Sequence, residues 1–202
     1  MTTGWRSIPI PERMRHLDRD HRGYPIFAMA FRDRDGRPHF TINDDLLRHQ
    51  MLVEERCSLC GTKLFRGRWF VGGPSSALHP RGAYVDPPMH DECVHYALRV
   101  CPYLATPGYN KLIENRKVLP ESGAVFARHE NVGPIQPSLF VAVLARGQTV
   151  LSEGLGEYIK PKRPYMRMEY WRHGQRLDDA EGERIARQEM FVDTGEATGE
   201  AT

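Results

Sequence analysis

Four residues, Cys57, Cys60, His90 and Cys93, constrain this chain more than anything else in it, because their spacing and context read as a closed zinc site. Cys57-Ser58-Leu59-Cys60-Gly61 is a C-x-x-C-G turn. Two thiolates two residues apart converge on one ion, and the glycine lets backbone N–H groups turn toward the sulfurs. His90-Asp91-Glu92-Cys93 follows Pro87-Pro88 and opens an apolar stretch, which places it in the first turn of a helix. Positions i and i+3 of a helix share a face and reach the same metal. Cys101 is the rival ligand, but eight helical residues from Cys93 put it about 12 Å along the axis. Cys93, Val94, Ala97, Leu98 and Cys101 form one apolar stripe, so Cys101 reads as a core thiol. His95 falls on the opposite side with Asp91 and Arg99, as a surface histidine. The competing readings are a set of free buried thiols and a disulfide framework, and a 202-residue chain with four cysteines does not need the latter to fold.

A C-x-x-C turn, a short hairpin and an H-x-x-C at a helix N-terminus form a treble-clef-like arrangement. The fold class expected is therefore α+β: a small mixed fold around a treble-clef-like zinc finger, with β-hairpins before and after it. Residues 24–42 predict the first hairpin through Asp35-Gly36, and Asn43 caps a helix reaching Arg56. Lys63-Leu64-Phe65 and Trp69-Phe70-Val71 predict the hairpin inside the zinc module. The helix 89–101 stops at Pro102. Leu139 to Leu144 is a buried strand that Arg146-Gly147-Gln148 turns back toward Thr149 to Leu151. Tyr165 to Trp171 alternates as a strand ending at His173-Gly174, and Asp178 or Asp179 caps a last helix to about Glu189. Four segments result: 1–56, hairpin plus helix; 57–107, the zinc module; 108–188, strands, helix and a basic-aromatic stretch; 189–202, a disordered acidic tail repeating Gly-Glu-Ala-Thr.

Composition matters mainly for what it excludes. The chain has 28 basic and 26 acidic residues, a formal charge of +2 and 40% apolar residues, which suits a globular protein rather than a disordered one. No stretch approaches 18 apolar residues and Met1 to Arg6 lacks a signal-peptide pattern, so no membrane contact and a cytoplasmic location are expected.

Cys57-x-x-Cys60-Gly61, Phe70-Val71-x-Gly73-Pro74, Pro87-Pro88-x-His90-x-x-Cys93 and Cys101-Pro102-x-Leu104 together resemble a group of small bacterial and phage proteins. Arg22-Gly23-Tyr24-Pro25 and Asp35-Gly36-Arg37-Pro38-x-Phe40 are similar to that group's N-terminal portion, so the resemblance covers residues 5–105. It implies one compact unit around the zinc, of bacterial or phage origin, and implies no activity, catalytic residue or substrate.

The cofactor expected is a structural zinc, because catalytic zinc keeps an open position and a Cys₃His set fills all four. His90-x-Glu92 matches part of the zinc-deaminase signature, but there the C-x-x-C follows the histidine, whereas here it precedes it. A His-Me finger nuclease would need a base and a hard metal, and His79 with Asp86 or Asp91 is the candidate set. Cys101 at a helix C-terminus is opposed by the dipole as a nucleophile. The other functional signal is residues 158–176. Lys160, Lys162, Arg163, Arg167, Arg172 and Arg176 surround a single acid, Glu169, with Tyr158, Tyr165, Tyr170 and Trp171 interleaved. Cations neutralise phosphates and aromatic faces stack on bases, which points to DNA or RNA. Alternation splits the stretch between two faces, Tyr165/Arg167/Glu169/Trp171 and Met166/Met168/Tyr170/Arg172, so an amphipathic strand with a solvated basic side competes. The function expected is a non-enzymatic, zinc-stabilised nucleic-acid-binding or adaptor protein. The alternatives are a protein-interaction factor of phage-accessory or host-modulating type and the zinc-stabilised nuclease.

Overall fold

A computed structural model describes residues 4–107, 136–153 and 156–193. The expected acidic repeat at the C-terminus and the chain over 108–135 lie outside them. The architecture is mixed α and β, centred on a four-stranded antiparallel sheet in the order β3-β4-β7-β8. Its strands are β3 (Arg68–Gly72), β4 (Phe140–Ala145), β7 (Arg167–Arg172) and β8 (Gln175–Arg176). β4 reads Phe-Val-Ala-Val-Leu-Ala, an almost unbroken apolar run, because both of its faces are covered. Period-2 alternation sends Phe140 and Ala142, with Trp69 and Trp171, into one core, and Val141, Val143 and Ala145, with Phe70 and Tyr170, into the other.

Helix α3 (Asp91–Val100) and the thiols of Cys57, Cys60 and Cys93 belong to the first core. The second core is closed by α2 (Pro74–Leu78) and α5 (Asp179–Asp193). Gly182 of α5 lies so close to Tyr170 that a Cβ there would sit 2.3 Å from the tyrosine Cβ. The remaining elements are β1 (Ala30–Arg32) paired with β2 (Pro38–Asn43), α1 (Asp45–Val53), the short α4 (Pro102–Ala105), and a separate ribbon of β5 (Gln148–Glu153) with β6 (Gly156–Pro161).

Several expectations change. Asp44, not Asn43, caps α1: its carboxylate accepts from the Leu46 and Leu47 amides at 3.0 Å, while Asn43 ends β2. α3 ends at Val100, one residue earlier than expected, and the extended Cys101 lets Pro102 begin α4. The hairpin expected between 63–65 and 69–71 does not form. β3 instead pairs with β4, Arg68 opposite Ala145 through Gly72 opposite Val141, and this places Trp69 in one core and Phe70 in the other. β5 does not fold back on β4 either, since β3 and β7 already occupy both edges of β4. α5 continues through Asp193, into the stretch expected to be tail. Among the described residues, no helix is long and apolar enough to cross a membrane.

Candidate metal centre

The Cys57–Cys60 turn is held by its own backbone. The Gly61 amide donates to the Cys57 carbonyl at 2.8 Å, and the Cys57 amide donates to the Thr62 carbonyl at 2.9 Å. Gly61 adopts φ +72°, and a Cβ on it would press on Ala28 at 3.1 Å, so the turn and its neighbour both require glycine. The turn is also pinned from two sides. Ala28 donates its amide to the Leu59 carbonyl at 2.9 Å, and Ser58 donates its hydroxyl to the Pro87 carbonyl at 3.1 Å.

The second pair arrives through an isolated antiparallel bridge between Trp69 and Met89, whose amides and carbonyls exchange bonds of 2.8 and 3.0 Å. His90 is then the N-cap of α3 and Cys93 lies in its first turn. The Trp69 indole donates to Asp91 Oδ1 at 2.9 Å, fixing the start of the helix against β3.

These elements bring the four predicted ligands together. Sγ of Cys57, Cys60 and Cys93 and a ring nitrogen of His90 all lie within 4.8 Å of one another, and all four residues are buried. A Cys₃His cluster able to hold a metal ion is therefore present. His90 Nε2 donates to the Lys63 carbonyl at 3.0 Å, since a carbonyl only accepts, and this leaves the Nδ1 lone pair facing Cys60 Sγ at 3.3 Å. Fixing the far nitrogen of a ligand histidine in this way orients the ring for a metal.

The three sulfurs are linked by hydrogen bonds to one another. Burial, followed by a hydrogen bond to Cys60, pushes the Cys57 thiol up to about 11. Hydrogen bonds from Cys57 and then Cys93 hold Cys60 far below the usual thiol range, although burial opposes this. Cys93, donating to Cys57 and Cys60, is driven strongly upward. Cys101 stands outside the cluster, half-buried, and burial raises its thiol.

The basic-aromatic stretch is not brought to one face. Tyr170 and Trp171 are buried, 4% and 7% exposed, on opposite sides of the sheet, so their rings are not open to bases as expected. Arg163 donates to the Ala77 and His79 carbonyls at 2.8 and 3.0 Å, and Arg172 is engaged by Ser138 and Glu189. Lys162 and Arg167 are exposed and Lys160 is half-buried. Among the described residues, His79, Asp86 and Asp91 form no common ligand cluster, and His79 Nδ1 accepts the Arg81 amide.

The arrangement missed from sequence is centred on Glu169. Its carboxylate is 1% exposed and accepts from His95 Nε2 at 2.9 Å, Trp171 Nε1 at 3.1 Å and Arg167 at 2.8 Å. His95 is therefore not a surface histidine, because β7 packs across that side of α3 and its ring lies between Trp69 and Trp171. A lone acid among six cations was the available signal. No family model, curated protein or solved structure matches the chain.

Proposed function

We propose that Cys57, Cys60, His90 and Cys93 hold a structural zinc ion, and that the protein is a non-enzymatic binding factor built around this centre. The observation carrying the reading is the convergence of four buried donors, three sulfurs and one imidazole nitrogen, within 4.8 Å. Thiolate-rich N/S sets select zinc over magnesium or calcium, and four protein donors leave no position for a reacting water. Zn–S bonds of about 2.3 Å require sulfurs about 3.8 Å apart in a tetrahedron, so the donors need only a small contraction. A divalent ion displaces the protons that Cys57 and Cys93 otherwise keep.

In this reading the ion ties three stretches together: the N-terminal segment through Ala28, β3 through the Trp69–Met89 bridge, and α3. Chelation should therefore cause cooperative loss of structure that added zinc restores. A chain that keeps its fold and its unfolding midpoint after complete chelation would refute the structural role.

Nucleic-acid contact through residues 158–176 narrows to Lys160, Lys162 and Arg167. A protein partner is the second reading, favoured by the exposure of Leu46 (85%), Val53 (68%) and Phe65 (63%). Binding of a single-stranded oligonucleotide that Lys160→Ala/Lys162→Ala weakens, and Arg184→Gln/Arg187→Gln does not, supports the first. An absence of oligonucleotide binding at low salt leaves the second.

A further inference from the structure

We infer that the cleft between the 18–22 loop and the β1–β2 hairpin is a binding site for a nucleoside phosphate. The cleft has a volume of about 900 Å³, within the range of small-molecule sites. Arg19, Arg22, Arg32 and Arg37 line it against Asp18 and Asp20, a surplus of two positive charges before its two histidines are counted. Both acids are already engaged: Asp18 lies 3.6 Å from Arg32, and Asp20 serves the loop itself.

Asp20 makes the site look built rather than incidental. Its side chain is 4% exposed, yet it accepts the Arg22 and Tyr24 amides at 2.9 Å and Arg22 Nε at 2.7 Å. A buried carboxylate thus aims an arginine whose own side chain stays 40% exposed. That guanidinium is held between the Tyr24 ring (4.9 Å) and the Phe40 ring (5.4 Å), and Tyr24 in turn stacks on Trp5 at 3.8 Å. A cation locked in orientation before ligand arrives adds its positive charge to the cleft at little entropic cost.

Around this fixed cation, Arg19 is exposed and makes no hydrogen bond or ion pair among the described residues. The Arg37 side chain is 77% exposed, its guanidinium 3.7 Å from Asp35. These two supply mobile charge for phosphate, while Ile26, Pro38 and Phe40 give the cleft an apolar side for a base. Phosphate recognition by arginine forks and stacking of a base on an aromatic ring are the two chemistries a nucleoside phosphate needs. The inference does not depend on residues 158–176 or on the identity of the metal.

The test is titration of the full-length, metal-loaded protein at low salt with ADP, inorganic pyrophosphate and an oligothymidylate. ADP should bind more tightly than pyrophosphate. Arg19→Gln/Arg37→Gln should weaken ADP about ten-fold or more, the loss expected for charge-assisted bonds, whereas Arg184→Gln/Arg187→Gln should not. Phe40→Leu, which removes the stacking face and loosens one side of the Arg22 clamp, should weaken ADP by a larger factor than pyrophosphate. If only the oligothymidylate binds and Arg19→Gln/Arg37→Gln weakens it, the same chemistry is being read on a strand. Pyrophosphate binding as tightly as ADP, equal losses in the two double variants, or no binding by any probe overturns the inference.

Discussion

Replacing Glu169 by leucine removes the one acceptor that α3 and β7 share. Glu169 is 1% exposed and receives His95 Nε2 and Trp171 Nε1 on the same oxygen. Leucine fills the space but leaves two shielded donors without partners, at about 1–3 kcal/mol each. Arg167 and Arg176 are 50% and 39% exposed, so their guanidinium groups turn to water and add little. Burying the leucine returns about 1–2 kcal/mol, giving a net loss centred on about 2.5 kcal/mol. Glu169→Gln should cost less, about 1 kcal/mol, because its amide oxygen can stay toward His95 and Trp171, while the half-exposed Arg167, facing a donor, turns to water. Urea unfolding followed by circular dichroism measures these losses. A double-mutant cycle isolates the pair: in a Trp171→Phe background one donor is already gone, so Glu169→Leu should cost about 1–2 kcal/mol less than in the wild type. A Glu169→Leu loss below about 0.5 kcal/mol, or strict additivity in the cycle, would refute the account of this junction.

Two further outcomes are expected. Burial raises the Asp20 carboxyl, but its bonds to the Arg22 side chain and the 22 and 24 amides outweigh this and hold it below the ordinary aspartate value of 3.8. Its contribution to stability is therefore present at neutral pH and fades as acid carries the solution below that value. Asp20→Asn should be less stable than wild type at pH 7 and converge with it in acid, as read from urea midpoints across pH. Gly182→Ala should destabilise by about 1–3 kcal/mol through overpacking on Tyr170, against the roughly 1 kcal/mol gain that alanine brings to an open helix position, and thermal melts give the sign.

The Cys₃His cluster was legible because both pairs are local: a C-x-x-C turn and an H-x-x-C on one helical face each fix their geometry within four residues. The apolar run Leu139 to Leu144 was equally legible as a strand, found at Phe140 to Ala145, whereas the mixed β6 and β8 were not foreseen. Strand pairing was not legible, because β3 finds β4 some seventy residues away and nothing in Trp69-Phe70-Val71 encodes that partner. Distance also explains the misreading of Tyr170 and Trp171. Cations beside aromatics look alike in sequence whether the rings face water or two separate cores, and only α5 on one side and α3 on the other decide it. The Asp20–Arg22 pair was hidden for a different reason: its net charge cancels, while its orientation, set by the Tyr24 and Phe40 rings, does not.

Metal analysis of the purified chain tests the central claim most directly. One zinc per chain is expected in the wild type and in Cys101→Ser, and loss of zinc in Cys60→Ser. Because such sites are worth about 10–16 kcal/mol, more than most domains hold in reserve, Cys60→Ser should also unfold the surroundings of the site. Full zinc content in Cys60→Ser, or none in the wild type, would contradict the account.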